Sequence, residues 1–189
     1  MTQKDLNVSS SPTPSPSVPP DVVRYLKGAT AQSRQFDFLI GNWNVVVTRI
    51  KDDGSVLFQY KAKWEARYLN DGRMIIDDFK ACGPSGEEVS SFVTLRTYSE
   101  VTQRWEMQGL AALQPAGPTE WHGIWQDGEM LLDATGKNAD GKTIRTKIRF
   151  YEIQKDQFSW SSKTSRDEGI SWVLTASLLA VRAAPTQSV

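Results

Sequence analysis

The sequence predicts an all-β protein, an antiparallel up-and-down (meander) barrel of about ten strands preceded by a short N-terminal helix. Three observations carry this expectation. Beyond Trp43 apolar and polar residues alternate with a period of two, turn signals recur at nine places, and no convincing helical pattern interrupts them. The length of 189 residues suits one domain with a sizeable core.

Residues 1–20 are rich in Ser and Pro (SSSPTPSPSVPP) and too poor in apolar groups to offset the entropy of ordering, so a disordered leader is expected there. Residues 21–34 are read as a short helix serving as a lid or plug. Asp21 follows two prolines as a candidate N-cap, and Val22, Val23, Tyr25 and Leu26 recur at helical spacing. Residues 35–184 form the barrel.

The turn signals are KDDGS (51–55), NDGR (70–73), CGPSGE (82–87), SEVTQ (99–103), PAGP (115–118), QDGE (126–129), NADGK (138–142), QKDQ (154–157) and SRDEG (165–169). Asp-Gly steps between alternating segments are strong hairpin signals. In 57–68, Phe58, Tyr60, Ala62, Trp64, Ala66 and Tyr68 share one face, opposite Gln59, Lys61, Lys63, Glu65 and Arg67. In 143–152, Ile144, Thr146, Ile148 and Phe150 oppose Arg145, Lys147, Arg149 and Tyr151. Such half-buried strands close into a barrel or leave two unpaired edges; closure is favoured, with a two-sheet sandwich as the alternative. Small residues at inward positions (Ala62, Ala66, Gly109, Gly123, Ser162) beside seven tryptophans are compatible with a pocket or with an interlocked core.

Composition excludes several classes. Lys and Arg total 22 against 22 Asp and Glu, so no net charge draws the chain to nucleic acid or anionic lipid. The single cysteine, Cys82, rules out an internal disulfide and favours a reducing compartment. MTQKDLNVSS lacks the apolar stretch of a signal peptide, and WVLTASLLAV (172–181) is too short to span a bilayer. A cytoplasmic location is expected.

The entry segment FDFLIGNWNV (36–45) carries a resemblance. Its Leu39-Ile40-Gly41-Asn42-Trp43 is similar to the Leu-x-Gly-x-Trp entry of calycin-like barrels, which include lipocalins, fatty-acid-binding proteins and nitrobindins. LNDGRMIIDDF, LRTYSEVTQRW, IRTKIRFYEI and FSWSSKTSRDEGISW follow in the order seen in a bacterial calycin-like family known as a domain of unknown function. The resemblance covers 36–182. It implies a tryptophan plugging one end and a glycine turning the chain into the first strand. Nitrobindins hold haem through a histidine on the last strand. The matching place here is near Val173, so neither haem nor any other cofactor is expected.

One histidine and one cysteine cannot build a His/Cys zinc site, and the Asp-Gly turns lack calcium-loop spacing, so no metal is expected. Two functional readings remain open. The first is a pocket for a small hydrophobic or aromatic molecule, lined by Tyr60, Trp64, Arg96, Trp105, Trp121, Trp125 and Trp160. The second is a cofactor-independent cyclase or isomerase of a natural-product pathway, with Asp78, His122 or Tyr98 as the catalytic proton donor. Asp77 and Asp78 point to opposite faces, both mostly apolar, so parity leaves open which is inward; Asp78 is taken as the polar anchor, and an inward Arg96 would pair with an inward aspartate. His122 faces outward if Trp121 and Trp125 face inward. A filled barrel acting as an interaction module is a third option. The expected partner is a small ligand, not nucleic acid or membrane, and a homodimer stays open.

Overall fold

The computed structural model describes residues 18–112, 118–138 and 140–184. Most of the leader expected over 1–20, most of the PAGP turn and Ala139 therefore lie outside the described residues. Helix α1 (Pro20–Leu26) opens the described chain, and single 3-10 turns follow at Gln32–Arg34 and Asp37–Leu39. Asp21 does not cap α1 but lies inside its first turn, where it accepts a hydrogen bond from Arg24 at 2.6 Å.

Ten strands come next: β1 (Gly41–Ile50), β2 (Val56–Leu69), β3 (Met74–Cys82), β4 (Glu88–Ser99), β5 (Arg104–Ala111), β6 (Thr119–Gln126), β7 (Glu129–Lys137), β8 (Thr143–Tyr151), β9 (Gln157–Ser165) and β10 (Val173–Arg182). Each pairs antiparallel with its sequence neighbours. The pairing of β1 with β10, Trp43 opposite Arg182, closes the cylinder. Closure pairs both edges of all ten described strands, which an open meander or a sandwich would not do.

Side-chain alternation fixes the register against the core. In β1 Trp43, Val45 and Val47 are buried between exposed Asn42, Asn44 and Val46. In β2 Ala62, Trp64 and Ala66 are buried between Lys61, Lys63, Glu65 and Arg67, which face water. A slip of one residue would place those four charges inside.

One end is plugged. The segment between α1 and β1 passes beneath the strands and sends Phe36 and Leu39, both fully buried, into the barrel. Phe36 meets Trp105 edge-on at 4.8 Å, and Trp43 meets Phe158 at 4.8 Å. The Trp43 indole N–H donates to the Leu39 carbonyl at 2.8 Å, tying the plug to the first strand. Gly41 makes the corner with φ of +121°, and a Cβ there would stand 2.6 Å from Arg182 Nη1. That guanidinium lies 4.2 Å from the centre of the Trp43 ring and donates to the Ile40 carbonyl at 3.0 Å. The Leu-x-Gly-x-Trp entry thus closes one end, as the resemblance implied.

Helix α1 lies against the loops at this same plugged end. The Tyr25 hydroxyl donates to Asp71 at 3.0 Å, Arg73 stacks on the Tyr25 ring at 3.8 Å, and Arg24 approaches Glu100 at 3.9 Å. A lid over the opposite mouth is not what this helix forms. Among the described residues, no helix is long and apolar enough to cross a membrane.

Candidate functional site

The half of the barrel away from the plug is hollow. A cavity of about 580 Å³ is walled by the inward faces of all ten strands, from Val47 and Arg49 on β1 to Ala176 and Leu178 on β10. Arg49 lines it and is itself exposed, so the cavity reaches the surface where β1 ends and β2 begins. Seven rings line the walls, Tyr60, Trp64, Phe79, Phe92, Trp121, Phe150 and Trp160. Glycines expected to leave gaps are partly used for packing, since a Cβ on Gly109 would fall 2.3 Å from the Phe92 ring.

Toward the plug the lining becomes polar at one place. Asp77 on β3 and Arg96 on β4 are only 2 % and 4 % exposed, and Arg96 Nε donates to Asp77 Oδ2 at 2.6 Å. The Trp64 indole N–H donates to Asp77 Oδ1 at 2.8 Å, so both carboxylate oxygens are engaged. Arg96 Nη1 points at the Met107 sulfur at 3.3 Å, and the guanidinium lies 4.8 Å from the Phe36 ring centre. The plug therefore also forms the floor beneath the ion pair. Nearer the mouth, burial pushes the Tyr60 phenol above its ordinary pKa of 10.0, against the pull of Arg49.

No protein-family model matches the sequence, and no curated relative matches it. Solved structures do. An S-type phycobiliprotein lyase of Guillardia theta superposes with a TM-score of 0.57 at 15% identity, over 84% of this chain and 96% of the lyase. Rv2717c of M. tuberculosis superposes with a TM-score of 0.56 at 13% identity, over 82% of this chain and 99% of its own. The chain has the calycin-like barrel fold. At this identity the likeness speaks for the fold alone.

Within this calycin-like barrel, Tyr60, Trp64, Arg96, Trp121 and Trp160 share the cavity wall. Trp105 does not. It is completely buried in the plug, its indole N–H donating to Gln35 Oε1 at 3.0 Å. Trp125 stands half-exposed at the plugged end, 6.1 Å from Phe38. Tyr98 is inward by parity but too near the plug to reach the cavity, and it packs on Trp105 at 5.9 Å.

Asp78 is corrected by its neighbour. It lies on the outer face opposite Glu65 and Val93, 3.8 Å from Lys80, while Asp77 opposite Ala66 points inward. The register across the 70–73 turn carried that signal: β2 and β3 pair Leu69 with Met74, which sets Ala66 against Asp77. Residues not singled out as ligand contacts, among them Arg49, Phe79, Phe92 and Phe150, also line it.

His122 is also outside. Trp121 faces the cavity, so His122 projects outward, and its Nδ1 lies 2.8 Å from Glu106. Among the described residues, no group of three His, Cys, Asp or Glu side chains could hold a metal ion. Hydrogen bonds from Arg104 and then Thr102, with His122 contributing less, hold the Glu106 carboxyl down to about 2. A carboxyl whose pKa falls on folding adds stability above its unfolded value near 4.5 and loses it as pH drops toward about 2. Thermal unfolding of Glu106→Gln against wild type is expected to show the wild-type advantage vanishing across that window. Added salt should shrink it, because the cluster is partly solvated. A pH-independent difference would assign Glu106 no electrostatic role.

Proposed function

We propose that the barrel binds one small, largely apolar or aromatic molecule in the ring-lined cavity. The observation that carries this reading is the cavity itself, a void of about 580 Å³ left in the half of the barrel that the plug does not fill. Its volume lies within the range of small-molecule sites, and its lining combines apolar walls with a few convergent polar groups. Burying about 330 Å² of apolar ligand surface at roughly 25 cal/mol per Å² corresponds to about 8 kcal/mol before the entropy of association, which sets micromolar affinity as the upper range.

The uncharged dye N-phenylnaphthylamine tests this. Its fluorescence is expected to rise saturably at one dye per chain. Ala176→Trp, which fills the cavity from a buried wall position, should abolish the rise while leaving the far-ultraviolet circular dichroism of the barrel intact. Equal binding by the variant would place the dye elsewhere. The cyclase or isomerase reading gains nothing from the cavity, since Asp78 and His122 lie outside it and Tyr98 lies beside the plug.

A further inference from the structure

The buried ion pair has a chemical bias that narrows the guest. Arginine carries five N–H donors. Arg96 spends one on Asp77 and turns one to the Met107 sulfur, a weak acceptor, so three find no partner among the described residues. The side chain is 4 % exposed and lines the cavity, so no bulk water reaches those donors unless it enters the pocket. No Arg96 nitrogen is both closed to solvent and unpaired, so the free donors face the cavity. A guest that displaces cavity solvent without supplying an acceptor leaves them unpaired, and a guest that supplies one gains by comparison.

The charge is a separate matter. Asp77 stands 2.6 Å from Arg96 Nε, and both its oxygens are occupied, so the guanidinium is already neutralised. A guest carboxylate would bring a second negative charge into the floor with no second cation beside it. Among the described residues, the only other cationic group of the lining, Arg49, sits at the mouth. A carbonyl oxygen accepts the free N–H groups without that penalty.

We propose that the guest carries a neutral hydrogen-bond acceptor, a ketone, aldehyde, amide or quinone carbonyl, and enters with it leading toward the Nη edge of Arg96. The distance fits a flat, elongated molecule: Arg96 lies four residues deeper along β4 than Phe92, roughly 13 Å of strand. This inference rests on the cavity being a binding site, as proposed above.

The test displaces N-phenylnaphthylamine with acetylnaphthalene, ethylnaphthalene and naphthoate, all substituted at the same ring carbon. In wild type the ketone is expected to bind about tenfold tighter than the hydrocarbon, although it is better hydrated, and naphthoate weakest of the three. In Asp77→Asn, which keeps an acceptor for the Trp64 indole but removes the charge, naphthoate should overtake the ketone. In Arg96→Met/Asp77→Asn the ketone should lose its advantage while ethylnaphthalene binds as before. A ketone no tighter than the hydrocarbon in wild type would overturn the acceptor assignment and leave the cavity reading standing. Naphthoate binding tightest in wild type would overturn the neutral-guest assignment. Persistence of the ketone preference in the double variant would remove Arg96 from the role. If no compound or dye binds, the reading of the cavity itself falls.

Discussion

Arg96→Met is expected to cost about 3–5 kcal/mol of stability, and Arg96→Met/Asp77→Asn to recover much of that loss. The single substitution leaves the Asp77 carboxylate 2 % exposed with only the Trp64 indole N–H as donor. Desolvation of an unpaired charge then dominates. Removing the charge as well leaves an amide whose carbonyl still accepts from Trp64 at the same place. Urea unfolding of both single variants and the double variant gives the coupling directly. A double variant no more stable than Arg96→Met would show that the pair contributes packing rather than mutual charge compensation. Because domains are stable by only about 5–15 kcal/mol, the single variant should be visibly compromised at 37 °C.

Trp43→Ala is expected to be nearly as damaging, by about 3–5 kcal/mol, and to lower the melting temperature by about 10 °C. The indole is 1 % exposed and joins three parts of the plugged end: Phe158 edge-on, Leu39 through its N–H, and Arg182 over its face. Its loss opens a void where the chain enters the barrel and frees the guanidinium that braces Gly41. Since Trp43 is not part of the cavity wall, dye binding per folded molecule should be unchanged. Trp160→Ala gives the contrast: a half-buried wall residue whose removal should weaken dye binding more than it weakens the fold. Equal effects of the two substitutions on binding would mean that plug and pocket are not separate halves.

Much of the fold was legible because its signals are local. Asp-Gly turns and period-two alternation in segments such as 57–68 report directly on hairpins, and a chain of hairpins with one apolar face must satisfy its edges. The buried ion pair was legible in part: Arg96 shares a face with Phe92 and Thr94, and that face is inside. Which aspartate meets it was not visible in MIIDDF alone, where both faces are largely apolar and a bulge follows Phe79. The turn register decided it. Trp105 and Trp125 were assigned to the pocket by residue type, but position along the strand separates them from Trp121. Alternation says in or out, never how far from the plug. The plug itself, with Phe36 just before and Leu39 at the end of the second 3-10 turn reaching inward, leaves no periodic trace.

The most direct test is a crystal structure of the protein soaked with N-phenylnaphthylamine. One dye molecule is expected between the faces of Trp64, Trp121 and Trp160, with the plug residues Phe36 and Trp105 unmoved. Dye bound only on the outer surface, with those indoles collapsed against one another across the barrel, would contradict the account.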